Sequence, residues 1–395
     1  MPAVNRSVAI IIERLNLALG GAERSVVEMS RALARLGLDV HILAAKGQSV
    51  ARNVHILCEK TRGKRTWYFT FKNALQEHLS HNHYDIIHST MPFGFADIYQ
   101  PRGGSFAESI IRNAASYGNR FIGAYKRLTA FANYRRTLLL NAERKLCKNP
   151  RGPVVAAISN YVADQFRRHY GLNDARVAVI ANGVNVNKRI DTARAYKLRS
   201  QIIRTLGVRE ADQPRFFLFA ANNFRLKGLG PLIWAMRSAV ARTGRRCPYL
   251  LAAGSGSSGR YRQLARRLNV DKQIVFMGPL HATGDALSIV DVAVLPTFYD
   301  PASRFVLEAL AVAKPVITTR FNGATDLFGN RRHGMVVDEP ENIEALAEAI
   351  IYFADPDNVK QASAAIVEDN LREKVSINRV AKELLLLYTS LDQGR

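Results

Sequence analysis

The sequence predicts an α/β protein built from two doubly wound, Rossmann-like domains. Apolar runs of strand length alternate with amphipathic helical stretches along most of the chain, a pattern typical of parallel sheets covered by helices on both faces. A chain of 395 residues is also too long for one ordinary hydrophobic core. Asn182 and Gly183 form a turn signal near the middle of the chain, so we place a domain boundary there and expect domains at 1–185 and 186–374.

The first domain begins with an apolar strand, Val8 to Ile12, which a turn at Gly20 and Gly21 connects to an amphipathic helix. Further elements follow in the order strand 38–44, strand 54–57, helix 66–81, strand 84–88, strand 96–99, strand 154–158, helix 160–170 and strand 177–181. Glycine lets a backbone approach an anion closely, and the following helix supplies unpaired N–H groups. Gly20 and Gly21 therefore form either a phosphate-binding turn or a plain strand–helix connection.

Residues 101–151 depart from this alternation. They contain 11 Lys and Arg against two Asp and Glu, interleaved with aromatic and aliphatic side chains such as Phe121, Tyr125 and Leu128. Helices of this composition suit an anionic membrane surface, where rings enter the interface and cations meet the head groups. The alternative is a long core helix with a solvated basic face.

The second domain repeats the βα alternation. Strands are expected at 216–221, 249–253, 274–277, 292–295, 316–318 and 335–337, with helices between them and a helical end. Asp300 follows the fourth of these strands, and Glu308 lies eight positions later on a helix expected to start at Ser303. Ligands bind at this end of the strands in open α/β sheets, so the two carboxylates mark a candidate site.

Two further turns of this domain carry ligand-binding signals. Arg225 and Lys227 follow the first strand, where two cations could neutralise a diphosphate. Gly254, Gly256 and Gly259 spell G-x-G-x-x-G, but the next strand ends without the acidic residue of a dinucleotide site, so NAD binding is rejected.

No metal site is expected. Asp355 and Asp357 form a D-x-D pattern between two late helices, where Asp-Pro commonly makes a turn. Three widely spaced cysteines form no CxxC pair, and hydrolase, NTPase and zinc signatures are absent from the sequence. No apolar run approaches the length of a membrane span, and no secretory signal is visible. The net charge of +23 attracts anionic partners without choosing among them.

Together these motifs resemble the retaining glycosyltransferases of family 4, which have the two-domain GT-B architecture. The resemblance covers nearly the whole chain, from the Gly20–Glu23 turn through Arg225 and Lys227 to Asp300 and Glu308. It implies two domains facing a cleft, with the last helix, roughly residues 375–395, returning to the first domain. Within the family, the chain is most similar to transferases that add a hexose to heptose in the lipopolysaccharide core.

The resemblance implies a role for each candidate residue. Asp300 would contact the donor sugar, Glu308 the nucleotide ribose, and Arg225 and Lys227 the leaving diphosphate. Gly20 and Gly21 would close over the diphosphate from the first domain. The remaining donor-binding residues would be Gly254, Met277 at the base, and the backbone of Ala302, Ser303 and Arg304.

The same resemblance implies the reaction and its setting. A hexose would pass from a nucleotide sugar, expected to be a UDP-hexose, to a glycolipid or lipopolysaccharide acceptor, with the anomeric configuration retained and no metal or other cofactor required. The enzyme would be cytoplasmic and peripheral on the inner face of the cytoplasmic membrane, held there by 101–151. No specific nucleic acid is expected as a partner.

Three positions depart from the family pattern. Asp300 stands where the family usually has glutamate, and Ser303-Arg304 replaces a small and apolar pair. The loop at residues 100–104 contains no histidine, so no catalytic histidine is assigned. Three alternatives stay open: a transferase of another glycolipid or polysaccharide pathway, a basic protein that binds nucleic acid or anionic surfaces, and a membrane-associated scaffold without catalysis.

Overall fold

A computed structural model describes residues 6–16, 21–49, 51–59, 65–129, 132–244, 247–280 and 282–393. The chain divides into two compact units. The first contains Met1–Ile111, Ala124–Asn185 and Ile377–Arg395, and the second contains Arg112–Gly123 and Val186–Ser376. Residues Arg112–Gly123 thus belong to the second unit although they precede the middle of the chain.

Each unit is built on one parallel sheet. The strands of the first unit are β1 (Ser7–Leu15), β2 (Asp39–Gly47), β3 (Val54–Ile56), β4 (Ile86–Ser89), β5 (Ile98–Tyr99), β6 (Val154–Ala157) and β7 (Val177–Val179). Those of the second unit are β8 (Arg215–Ala220), β9 (Pro248–Ala253), β10 (Ile274–Gly278), β11 (Val292–Leu295), β12 (Val316–Thr319) and β13 (Gly334–Val337).

Helices separate most of these strands. Those preceding the second sheet are α1 (Gly21–Ala34), α2 (Tyr68–His81), α3 (Phe106–Ala115), α4 (Arg120–Thr129), α5 (Tyr134–Lys148), α6 (Asn160–Tyr170) and α7 (Thr192–Leu206). The later ones are α8 (Leu229–Thr243), α9 (Gly259–Arg267), α10 (Thr283–Ser288), α11 (Arg304–Ala311), α12 (Ile343–Ala354), α13 (Pro356–Glu368), α14 (Leu371–Lys374) and α15 (Ile377–Gln393).

The first sheet has the order β3-β2-β1-β4-β5-β6-β7, and all its strand pairs are parallel. Alternate residues of β1 enter two cores because successive side chains of a strand point to opposite faces. Ile10 packs with α1 and α15 on one face, and Ile11 packs with Phe71 of α2 and with Phe93 on the other. Both faces of the sheet are therefore covered, and α15 lies in the core of the first unit.

The second sheet has the order β10-β9-β8-β11-β12-β13 and is also parallel throughout. Its central strand β8 buries Phe216–Phe219 completely, and α8 packs against α12 over one face. The strand order reverses between β8 and β11, which creates the kind of crevice where doubly wound sheets bind ligands. The predicted pair of doubly wound domains is confirmed.

Several local predictions shift by a few residues. The helix expected at 66–81 begins at Tyr68, and the strand expected at 96–99 is confined to Ile98–Tyr99. Asp355 caps α13 by accepting a hydrogen bond from the Asp357 N–H, with Pro356 in the first turn, so the D-x-D pattern is a helix start. In the described part of the chain, no helix combines the length and apolar character that crossing a membrane requires.

Candidate functional site

The loops that follow β8 and β11 meet on either side of the point where the strand order reverses. The Lys227 Nζ donates to Asp300 Oδ2 at 2.7 Å and to the Tyr299 carbonyl oxygen at 2.8 Å. Both side chains retain limited access to solvent, at 19% and 15% exposure. The sequence-predicted cation and carboxylate therefore form a close, partly buried ion pair at the carboxyl edge of the second sheet.

Asn322 fixes the loop that carries Asp300. The Asp300 N–H donates to the Phe321 carbonyl oxygen at 2.9 Å, and the Gly323 N–H donates back to the Asp300 carbonyl oxygen at 2.9 Å. The buried Asn322 Oδ1 accepts from the Ser303 and Ala324 N–H groups, each at 3.1 Å. The backbone from Asp300 to Ser303 is thus held against the end of β12, and α11 starts directly after it at Arg304.

Glu308 lies near two cations at longer distances. Its Oε1 is 3.5 Å from Arg304 Nη2, four residues earlier on α11, and 3.7 Å from Lys188 Nζ. The Glu308 side chain is 14% exposed. Neither contact has the length of a strong charge-assisted hydrogen bond, so this carboxylate keeps most of its capacity to accept hydrogen bonds.

Glycines permit the close approach of the neighbouring loops. Gly254 has φ +142°, its N–H donates to the Gly278 carbonyl oxygen at 2.8 Å, and a Cβ there would lie 1.7 Å from the Ala221 carbonyl oxygen. Gly228 has φ +81°, and a Cβ there would lie 1.9 Å from the Pro296 carbonyl oxygen. Glycine is therefore the residue that fits both positions, and the turns after β8, β9 and β10 are drawn together.

Met277 lines a cavity of about 390 Å³ between the end of β10 and α7. Its lining combines apolar side chains, among them Met277, Leu280 and Ile202, with the polar Gln201 and Thr205 of α7. Its volume lies within the usual range of small-molecule pockets. The structure thus places Met277 beside an open cavity, and its role at a nucleotide base stays a prediction.

Arg225 follows the same strand as Lys227 but makes different contacts. Its Nη1 donates to the Asn113 carbonyl oxygen at 3.0 Å, and its Nη2 donates to Asn113 Oδ1 at 2.9 Å. Ser116 Oγ also accepts from it, and the guanidinium lies 3.8 Å from the centre of the Tyr117 ring. Burial lowers the pKa of Arg225, and the neighbouring Arg260 charge adds to this shift. Arg225 is therefore directed at residues 113–117 in this structure.

The predicted residues of the first unit can be described only in part. Gly21 is exposed at the start of α1, and Gly20 lies outside the described residues. In the loop without histidine, Arg102 donates to Gln100 Oε1 and Asn182 Oδ1, each at 3.0 Å. His88, at the end of β4, is fully buried with its Nδ1 2.7 Å from the Tyr388 hydroxyl. Burial, assisted by the Arg102 charge, lowers the pKa of His88 to about 3, so this ring stays neutral.

The basic and aromatic segment 101–151 forms three helices with different surroundings. Near the end of α3, Arg112 Nε donates to the Phe298 carbonyl oxygen at 3.0 Å, and its guanidinium lies 3.3 Å from the centre of the Phe321 ring. On α4, Phe121, Tyr125 and Leu128 are 87%, 62% and 74% exposed. Their spacing of four and three residues places them on one helix face. One part of the segment is thus packed into the second unit, and another presents apolar side chains to solvent.

The described residues include possible metal ligands and thiols outside the sites above. No group of three or more His, Cys, Asp or Glu side chains there is arranged to hold a metal ion. The Cys58 and Cys147 side chains are buried, and the Cys247 side chain is half-buried.

Comparison with known proteins decides the family. The sequence model described as Glycosyltransferase Family 4 matches residues 19–188, and the model described as Glycosyl transferases group 1 matches residues 174–368. The chain belongs to the GT-B glycosyltransferases. Its two parallel-sheet units correspond to the two domains of that fold.

Relatives of this glycosyltransferase include the lipopolysaccharide glucosyltransferase WaaG of Escherichia coli K12, which is 19% identical over 84% of this chain and 85% of WaaG. An uncharacterized glycosyltransferase of Methanocaldococcus jannaschii, MJ1607, is 26% identical over 59% of each chain. The alpha-maltose-1-phosphate synthase of Mycolicibacterium smegmatis is 28% identical over 60% of this chain and 62% of the synthase. The chain therefore spans less than two thirds of the last two relatives.

Solved structures share the fold of this glycosyltransferase. The WaaG crystal structure has a TM-score of 0.73 at 18% identity and covers 97% of this chain and 99% of WaaG. The structure of HepE from Anabaena in complex with UDP-glucose has a TM-score of 0.68 at 14% identity, covering 98% of this chain and 100% of HepE.

Sequence reasoning missed several residues that shape the site of this glycosyltransferase. Asn322 is the main one, and the only local signal for it is the Asn-Gly turn after β12. Lys188 near Glu308 lies in the polar connection before α7, which carries no motif. Asn113 and Ser116 contact Arg225 from about 110 residues away in sequence, so only tertiary structure shows them.

Proposed function

We propose that this glycosyltransferase is a retaining hexosyltransferase that moves a hexose from a nucleotide sugar, by preference a UDP-hexose, to a membrane-associated glycan such as the lipopolysaccharide core. The observation that carries this proposal is the Lys227–Asp300 ion pair at the point where the strand order of the second sheet reverses. Glu308 supports it, because its carboxylate lies 3.5 and 3.7 Å from its two cations and can still accept hydrogen bonds. The names of two relatives support it: WaaG is a lipopolysaccharide glucosyltransferase, and HepE is seen with UDP-glucose.

The chemistry assigns each side chain a separate task. Charge grows on the leaving diphosphate as the bond to the anomeric carbon breaks, and a fixed cation lowers the energy of that transition state. Lys227, held by Asp300 and the Tyr299 carbonyl, would supply this cation without a metal ion. Glu308 would accept hydrogen bonds from the ribose hydroxyls, and Met277 would border the base. Arg225 would join the diphosphate after exchanging its contacts with Asn113 and Ser116.

The exposed face of α4 supports a membrane-bound acceptor. Phe121, Tyr125 and Leu128 would enter the interface of the cytoplasmic membrane from its inner side, with Lys126 and Arg127 near anionic head groups. Replacing Phe121 and Leu128 by Ser should reduce sedimentation with anionic liposomes and leave donor turnover in solution unchanged, because both side chains are exposed.

A donor screen tests the transferase proposal. UDP-, GDP- and ADP-sugars would be incubated with the protein and a core-oligosaccharide acceptor, with and without EDTA and anionic liposomes, and the products followed by mass spectrometry and anomeric NMR. We expect the protein to turn over one donor class at the same rate with and without EDTA. The product should keep the anomeric configuration of the donor. Inversion, inhibition by EDTA, or binding of oligonucleotides without any donor turnover would each contradict the proposal.

A further inference from the structure

A second cavity of the second unit lies on the helices α8 and α9. It has a volume of about 460 Å³, within the range of small-molecule sites. The side chains that give it chemical character are Arg225, Trp234, Arg260, Tyr261, Arg267 and Glu341. The donor-site roles proposed above use one of them, Arg225.

The charge of this cavity favours an anion. Three guanidinium groups line it, against one carboxyl group, that of Glu341. Arg260 is near enough to Arg225 that its charge lowers the pKa of Arg225, so the two guanidiniums repel each other. The Arg267 side chain is exposed and makes no hydrogen bond or ion pair with any residue that the structure describes. Gly230 and Pro231 of the first turn of α8 add the positive end of a helix dipole.

The aromatic lining favours a ligand with flat apolar faces. Trp234 is 44% exposed, whereas its neighbours Ile233 and Met236 on α8 are completely buried. An indole ring left open beside a cavity offers a large contact surface at little cost in conformational entropy. Tyr261 forms the adjacent wall, and the Arg260 guanidinium lies 4.5 Å from the centre of its ring. The C–H face of a pyranose could pack on the exposed Trp234 ring, whereas Tyr261 is 5% exposed and serves as the wall behind it.

Glu341 completes the set of groups. Burial raises the pKa of this carboxyl group, and the nearby Glu339 charge acts in the same direction while Arg112 opposes it. A carboxyl group at the wall accepts hydrogen bonds from hydroxyl groups, which neither the arginines nor the indole ring can do.

From this combination we propose that the cavity binds an anionic saccharide, a sugar ring that carries a phosphate or carboxylate group. The oxyanion would bind Arg267 and Arg260, the ring would pack on Trp234, and its hydroxyl groups would donate to Glu341. The choice of a saccharide rests on the proposed transferase function, for which this cavity would hold an acidic sugar of the acceptor. The arginine and aromatic lining stands independently of that function.

Calorimetric titration of the full-length protein tests the proposal with four probes: glucose 6-phosphate, glucuronate, glucose and inorganic phosphate. We expect glucose 6-phosphate, glucuronate or both to bind, and glucose and inorganic phosphate to bind on the order of tenfold more weakly because each lacks half of the contacts. Binding of glucose 6-phosphate without glucuronate, or the reverse, would support the proposal and identify which oxyanion the site takes.

Matched variants locate the binding. Arg267→Gln should weaken the binding of the anionic saccharides on the order of tenfold. Arg266→Gln, on the same helix but outside the cavity, should leave their binding unchanged. Trp234→Ala should weaken the binding of the saccharides but not the binding of inorganic phosphate. Equal binding of inorganic phosphate and glucose 6-phosphate, equal effects of the two arginine variants, or an oligonucleotide that displaces all probes would overturn the proposal.

Donor turnover separates this proposal from the transferase function. Arg267→Gln should keep hydrolysis of the donor, since Arg267 has no role at the donor site. Glu308→Gln should weaken donor binding on the order of tenfold and keep saccharide binding in the cavity. A protein that binds the saccharide but turns over no donor would support the cavity and contradict the transferase.

Discussion

Two glutamates of this glycosyltransferase differ in how fully their carboxyl groups are used. Glu143, on α5 of the first unit, is completely buried. Its Oε1 accepts from the Tyr99 hydroxyl at 2.8 Å, and its Oε2 accepts from the Phe106 N–H at 2.8 Å and from the Tyr170 hydroxyl. Glu308, on α11 of the second unit, has two cations at 3.5 and 3.7 Å.

The difference separates a carboxylate whose hydrogen bonds all serve the fold from one that is open to a ligand, the role proposed for Glu308. Glu143 receives three hydrogen bonds and has no access to solvent, so its task is to join α3, α5, α6 and β5. Glu308 is balanced in charge but not saturated with hydrogen bonds, so it can exchange its partners for the hydroxyl groups of a ligand. Substitutions at the two glutamates test this distinction.

The largest effect is expected from Glu143→Ala. The change leaves two hydroxyl groups and one N–H without their acceptor in a buried site, which should lower the free energy of unfolding by about 3–5 kcal/mol. Chemical denaturation measures it. Glu308→Ala, the matched control, should change stability by less than about 1 kcal/mol. Equal destabilisation by both changes would remove the distinction.

A somewhat smaller effect is expected from Lys227→Ala, and it should fall on activity. The cation nearest the proposed leaving group is lost, so kcat for transfer should fall on the order of 10²–10³-fold. Asp300→Glu keeps the carboxylate that holds Lys227, and its activity should stay within about tenfold of the unchanged enzyme. Steady-state kinetics with the best donor provides the measurement, and an unchanged kcat in Lys227→Ala would contradict the role of this cation.

The pH dependence of stability comes third. Burial raises the pKa of Glu143 from its ordinary value to about 7, while its three hydrogen bonds act in the opposite direction. The folded state therefore binds this proton more tightly than the unfolded state, so Glu143 should cost stability as pH rises from about 4.5 to 7, by about 2–3 kcal/mol in all.

Glu143→Gln should abolish that slope because the amide does not titrate. Urea midpoints measured at half-unit steps across the same window give the comparison. A slope that persists in the Gln variant would assign the titration to another group.

The smallest effect is expected from Glu308→Gln. It preserves the shape of the side chain but should weaken the hydrogen bonds proposed to the ribose, so the donor KM should rise on the order of tenfold with little change in kcat. Donor titrations in the transfer assay separate the two constants. A fall in kcat without a change in KM would move Glu308 from binding to the chemical step.

Much of the second unit could be predicted from sequence because its signals are local. Strand and helix periodicity gave the alternation, and the loops with Lys227 and Asp300 follow apolar strands at the expected edge. Residues on neighbouring parallel strands meet there because all the strands run the same way. The pairing of Lys227 with Asp300 follows from that rule.

Tertiary contacts set the limit of prediction. Arg225 and Lys227 are two residues apart and look equivalent in sequence, yet Arg225 is bound by Asn113 and Ser116, whose positions depend on how α3 packs. By composition, residues 101–151 likewise look like one basic and aromatic segment. In the structure, Arg112 of α3 packs against Phe298 and Phe321, whereas α4 presents apolar side chains to solvent. Composition averages over such differences.

The membership of Arg112–Gly123 in the second unit matters for protein engineering. Because this piece is separated in sequence from Val186–Ser376, the second unit is encoded in two parts. A chimaera that exchanged only residues 186–376 with a relative would set a foreign loop against Asn113, Ser116 and Tyr117. Exchange of the whole second unit therefore requires a second, short exchange at residues 112–123, far from the boundary near residue 186.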